Sequence, residues 1–182
     1  AASDVYKRQI LGDTPYPVSL LTQTELRIHA EHSVSRGKAA ILKAWLLKNG
    51  SNPQYKEVID VQLNEQTNYA PYVLGRLFAV LESLQQKANP GINATIMDRY
   101  FNAACATPSI VFPTLLKLAQ SHLKKLDTGY FIYYDKQMTE LCGRLTDSYP
   151  ARLNLQDQGI FQLGYYHQKQ KFFTKKEENS NV

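Results

Sequence analysis

Histidine, cysteine and paired carboxylates carry most proton transfer, nucleophilic attack and metal ligation at neutral pH. Four histidines and two cysteines stand in this 182-residue sequence. His29 and His32 are three apart, which puts two imidazoles on one helix face. A metal clip of that kind wants a third ligand, none stands at a matching spacing, and the pair reads as solvated. His122 shares one side of a helical pattern with Leu115, Ala119 and Leu126, so it reads as a buried or interface imidazole held by one hydrogen bond. His167 lies one turn from Leu163 and reads as a packing residue. Cys105 and Cys142 fall far apart within apolar helical patterns, as two core thiols rather than a disulfide framework. Asp98 adjoins Arg99 without facing it and is expected to pair inside the bundle. There is no Gly-rich phosphate loop, no paired-cysteine spacing and no Gly-x-Ser-x-Gly elbow. The expectation is therefore no catalytic constellation, no metal site and no cofactor.

Binding chemistry is better supplied. The chain carries 21 Lys and Arg against 16 Asp and Glu, a formal charge of +5. From Arg99 to Lys176 the count is eleven basic against five acidic residues, a lean toward polyanionic partners. Lys117, Lys124 and Lys125 share one polar helical side with Ser121, and Arg76 and Lys87 share the edge of another helix. Lys169 and Lys171 lie among Tyr165, Tyr166, Phe172 and Phe173, and Arg99 and Arg152 complete the candidate nucleic-acid contacts. Lysine and arginine hold phosphates at long range, while aromatic rings stack on unpaired bases at ~1–3 kcal/mol each. Gly75 and Ala79, four apart, leave a shallow spot where another backbone could approach, a candidate protein-docking site.

The elements that position these residues are helical. At 43% hydrophobic and 20% charged, the chain can fill a core. No apolar run approaches the ~18 residues of a membrane helix and no signal-peptide pattern opens the sequence, so the expectation is cytoplasmic. The opening Ala1-Ala2-Ser3-Asp4, without an initiator Met, reads as a fragment or processed chain. Leu20, Leu21, Leu26 and Ile28 start a short helix; Ser35 is the expected N-cap of the next, which ends at Asn49-Gly50. Residues 51–68 are polar, with Val58–Val61 as one short extended piece. Pro71–Ala88 is the clearest helix. Val73, Leu74, Leu77, Phe78, Val80, Leu81, Leu84 and Ala88 fall within an arc of about 160°, with Asn68 as cap and Asn89-Pro90-Gly91 as stop. Further helices are predicted over Ile92–Cys105, from Pro108 or Pro113 to Leu126, over Phe131–Leu145, and from an Asn154/Asp157 capping pair to Phe173. The fold class is all-α: a compact bundle of about seven helices over residues 10–174, with residues 1–9 unplaced and 175–182 a flexible tail.

Several ordered motifs together resemble a known family. Tyr72-Val-Leu-Gly-Arg-Leu-Phe-Ala-Val-Leu-Glu82, Ile92-Asn-Ala-Thr-Ile-Met-Asp-Arg-Tyr-Phe101 and Ala106-Thr-Pro-Ser-Ile-Val-Phe-Pro113 are similar to the C-terminal region of the type I-C CRISPR Cascade large subunit, the Csd-type family. So are Thr14–Leu20, Ser35–Lys43, the Leu115–Leu126 helix and Gln158–His167. The resemblance implies a non-catalytic, small-subunit-like helical domain of an RNA-guided complex in a prokaryotic cytoplasm. Its implied partners are the backbone and crRNA-processing Cascade subunits, the guide RNA–target DNA duplex and the displaced single-stranded DNA, held by sequence-independent backbone contacts. Motif recognition is implied to lie in an N-terminal portion of the large subunit that this sequence does not contain, and cutting in a separately recruited helicase-nuclease.

Overall fold

Three helix starts among the described residues are set by polar side chains that accept the first free amides. A computed structural model of the protein describes residues 17–27, 31–49, 53–59, 63–145 and 148–180. Among them are eight helices: α1 Val18–Arg27, α2 Glu31–Asn49, α3 Gln54–Ile59, α4 Ala70–Ala88, α5 Ile96–Ala106, α6 Pro108–Leu123, α7 Thr128–Gly143 and α8 Leu155–Ser180. The all-α expectation holds. Thr95 and Asp98 form a full capping box on α5, and Asp127 accepts the Tyr130 amide at the head of α7. Asn154 accepts the Asp157 amide at 2.8 Å, as the capping pair implied.

Several boundaries differ from expectation for local reasons. Asp98 serves the α5 cap instead of pairing across the bundle. Ser35 lies buried inside α2, which begins at Glu31. Asn68 caps nothing at α4, whose N-cap residue is Tyr69. The preceding turn is closed by Asn64, whose side-chain oxygen accepts the Gln66 and Thr67 amides, and by Thr67, which accepts the Tyr69 amide. Val58 and Ile59 end a helix rather than a strand, since both turn into the core from α3. Pro113 sits within α6 without ending it, because one missing amide in the second turn removes a single ladder bond. The last helix continues to Ser180, past Phe173.

The bundle is organised around α4 and α8. Fourteen residues of α4 are buried, including the polar Arg76, Glu82 and Gln85, although Arg76 was expected at a solvent-facing edge. The reason is α8, which packs between α2 and α4 and covers the face the periodicity left open. Two glycines permit this approach. A β-carbon on Gly75 would overlap the Phe161 carbonyl oxygen and lie 2.9 Å from the Tyr165 amide nitrogen. One on Gly164 would lie 3.1 Å from the Tyr72 carbonyl carbon. Around this crossing Phe78, Phe101, Phe161 and Tyr165 meet edge to face, with ring centroids 5.1–6.1 Å apart. α5, α6 and α7 cover the other side of α4, and the short turn after α6 makes α6 and α7 antiparallel neighbours.

Candidate nucleic-acid interface

A cation serves a phosphate only if its charge reaches solvent, and the nine candidates divide on that test. Arg76 is buried: its Nε donates to Gln168 Oε1 at 3.1 Å and its Nη1 to the Asn64 carbonyl at 3.2 Å. Burial pulls its pKa down, as it does for any cation removed from water. Lys169 is buried as well, 3.4 Å from Glu82 Oε2, which also accepts the Tyr165 hydroxyl at 2.7 Å. Lys171 is half-buried and paired with Glu65. Arg76, Lys169 and Lys171 are thus engaged within the chain, whereas Lys87, the other member of the expected α4 edge, is exposed. Arg76 and Lys169 are held between the two helices, and Lys171 pairs with Glu65 in the segment before α4.

The aromatic partners assigned to α8 move inward too. Tyr165 and Tyr166 are buried, Tyr165 within the ring cluster and Tyr166 beneath the Lys38 ammonium. The docking spot at Gly75 and Ala79 is likewise occupied. A backbone does come close there, but it belongs to α8 of the same chain.

Six cations remain exposed: Lys87, Arg99, Lys117, Lys124, Lys125 and Arg152. The fold gathers half of them where α4 ends, α6 ends and α7 begins. The Lys87 ammonium lies 3.8 Å over the Tyr130 ring, which raises its pKa through the Tyr130 contact. Lys125 donates to Asn89 Oδ1 at 2.6 Å, and the Asn89 amide reaches His122 Nδ1 at 3.2 Å, so the ends of α4 and α6 are tied together. Lys124 is the C-cap residue of α6. Lys117 lies two turns back, and Arg99 is in the first turns of α5. Arg152 is apart, near the start of α6, where Leu153 donates to the Ala106 carbonyl.

Exposed aromatic side chains occur where the sequence reading did not place them. Tyr130 and Phe131 are 43% and 40% exposed on the first turns of α7, beside Ile132. Their run Tyr130-Phe-Ile-Tyr-Tyr134 is apolar all round, whereas only Tyr134, Met138 and Leu141 of α7 are fully buried. That surplus of apolar residues over one core-facing stripe was the available signal. Between α6 and α7 runs an open groove of about 610 Å³, lined by Leu116, Lys117, Gln120, Asp135, Met138 and Cys142.

The reactive side chains lie in settings that suppress reactivity. Cys105 is buried, donates to the Gln158 carbonyl at 3.4 Å, and has its thiol pushed up to about 12 by burial. His167 is buried, with Nδ1 2.7 Å from the Tyr72 hydroxyl, which itself accepts the Asn64 amide. Burial, with Lys43 and Arg76 nearby, holds this imidazole down to about 3. A neutral buried base of this kind stabilises the fold fully above its unfolded value near 6.5, and that stability drains as pH falls toward 3. Between about pH 6.5 and 5 the expected loss is about 2 kcal/mol, at ~1.4 kcal/mol per unit. Thermal midpoints measured across that interval should fall steeply in the native chain and more gently in His167→Gln; equal slopes would remove His167 as the cause. His122, half-buried, is lowered by burial and by Lys125, and adds a smaller change of the same sign. His29 lies outside the described residues. Among the described residues no three His, Cys, Asp or Glu side chains gather to hold a metal ion, and no helix is long and apolar enough to cross a membrane.

No individual curated protein matches the chain. A family model described as CRISPR-associated protein (Cas_Csd1) matches residues 3–173, which takes in α1 to α7, most of α8 and all nine candidate contacts. By that match over nearly its whole length, the chain belongs to the Cas_Csd1 family of CRISPR-associated proteins.

Proposed function

We propose that this chain is a non-catalytic helical subunit or domain of a type I-C Cascade complex, and that it supports nucleic acid through its exposed cations. The observation that carries this reading is the cluster of Lys87, Lys124 and Lys125 at the junction of α4, α6 and α7, continued along α6 by Lys117. These ammonium groups sit on rigid helix ends and face solvent, as sequence-independent phosphate contacts require. Family membership supplies the setting: an RNA-guided complex in which base pairing reads sequence and protein holds the backbone. Its partners are then the other Cascade subunits, the guide–target duplex and the displaced strand.

Replacing Lys117, Lys124 and Lys125 with Glu tests the reading. Each change is on the surface and should alter stability by less than about 0.5 kcal/mol. Target binding by the assembled complex should fall by at least tenfold, and the slope of log affinity against log salt should become shallower by about two to three. An unchanged salt slope with intact folding would remove these lysines from the interface. A purely structural adaptor that docks neighbouring subunits through Gly75 and Ala79 would need that spot free, and α8 of the same chain fills it.

A further inference from the structure

The groove between α6 and α7 has two unlike walls. On α6, Lys117, Gln120 and Lys124 recur at helical spacing along one face, the first two lining the groove directly. On α7, Asp135, Met138 and Cys142 face it, and Phe131 precedes them in the same register by four residues. One wall therefore carries the Lys117 ammonium group, and Lys124, the C-cap residue just past α6, follows in the same register about 10 Å along the axis, two helical turns at ~1.5 Å per residue. The other is apolar with one carboxylate, and by register an exposed phenyl ring stands at its head. We propose that this groove takes an unpaired nucleotide strand, its phosphates along the Lys117–Lys124 wall and a base stacked on Phe131.

The arrangement orients such a strand. Asp135 repels phosphate, so the backbone is kept to the α6 side and the bases turn toward α7. There Asp135 and Thr139 meet base edges and Met138 and Cys142 meet their faces. Lys87, held over Tyr130, places a third ammonium group near Phe131 at the same end. An open crevice between two helices admits one strand, whereas a duplex presents its bases paired and stacked on one another, with no ring face free for Phe131. A protein occupant fits less well, because the buried centres of protein interfaces are depleted in lysine and Lys117 lines this groove. The inference rests on the reading of the α6 lysines as phosphate contacts, and adds the base-stacking group and the groove that takes the unpaired strand.

Three fluorescent probes of about 20 nucleotides separate the two claims: oligothymidylate, an abasic strand of the same length, and a duplex, each titrated against the full chain by anisotropy between about 50 and 200 mM salt. Phe131→Ala should weaken oligothymidylate binding by about 5- to 150-fold, the range for one lost stacked base, while the abasic strand and duplex change by less than about twofold. Phe131→Trp should restore the strand. Lys117→Glu with Lys124→Glu should weaken all three probes. If Phe131→Ala binds oligothymidylate like the native chain while the double reversal weakens every probe, the stacking claim is overturned and the phosphate reading stands. Normal strand affinity with failed entry of Phe131→Ala into the Cascade complex would make the groove a protein dock, also overturning the proposal. A native chain that binds none of the probes overturns both.

Discussion

Gly75→Ala is expected to destabilise the bundle by about 3 kcal/mol or more, a large part of the ~5–15 kcal/mol that holds a domain together. The added methyl meets backbone rather than a movable side chain: the Phe161 carbonyl and the Tyr165 amide nitrogen, both inside α8. Relief requires α8 to draw away from α4, which opens the ring cluster and separates the polar pairs between them. Gly143→Ala is the control. It has open space around it and an ordinary helical backbone, so the same methyl should be neutral or stabilising by up to ~0.5–1 kcal/mol. Urea unfolding checks both, as opposite shifts in midpoint at unchanged slope. A Gly75→Ala chain as stable as the native one would mean that α4 and α8 do not cross at this distance.

Glu82→Ala should cost about 3–5 kcal/mol, the usual result of removing one member of a buried charge pair. Glu82 Oε2 accepts from both Lys169 and the Tyr165 hydroxyl, and both ionic side chains are nearly excluded from water. Deleting the carboxylate leaves a buried ammonium without its counter-charge, at the centre of the α4–α8 contact. The double variant Glu82→Met with Lys169→Met should recover most of the loss, because it removes the charges together and keeps the volume. Additive losses in that cycle would show that the two side chains do not interact. Under the proposed function, Lys169→Glu is expected to lower nucleic-acid binding only by unfolding the domain, whereas Lys117→Glu is expected to lower it with the fold intact.

Apolar periodicity located α4 to within one residue at its start, and the capping residues located α8 at Asn154. Both signals are local, a stripe and a hydrogen bond within one turn. What lay beyond local reach was whether a polar side chain pointed to water or to another helix. Arg76 and Lys169 have the same composition and spacing as solvated residues. Only the reciprocal partners Gln168, Glu82 and the Asn64 carbonyl, more than ten residues away in sequence, reveal them as internal. The Gly75/Ala79 spacing tells that a backbone can come close, but not that the backbone is α8 of the same chain. Lys117, Lys124 and Lys125 reach solvent because α6 buries only one narrow face. Tyr130 and Phe131 escaped notice because a run of aromatics reads as core wherever it stands.

The central place of α8 also governs when the fold can form. Its contacts with α2 and α4 join the last helix to helices laid down roughly 80 or more residues earlier, so the defining contacts are long-range in sequence. Such topologies pay the loop-closure entropy before any packing is gained, and fold more slowly than bundles of consecutive neighbours. At ~5–20 residues per second of synthesis, a nascent chain spends about 4–16 s with α4 complete and the helix that covers it not yet made. During that interval Tyr72, Phe78 and Phe101 lack their α8 partners, and the domain folds only as its final helix emerges.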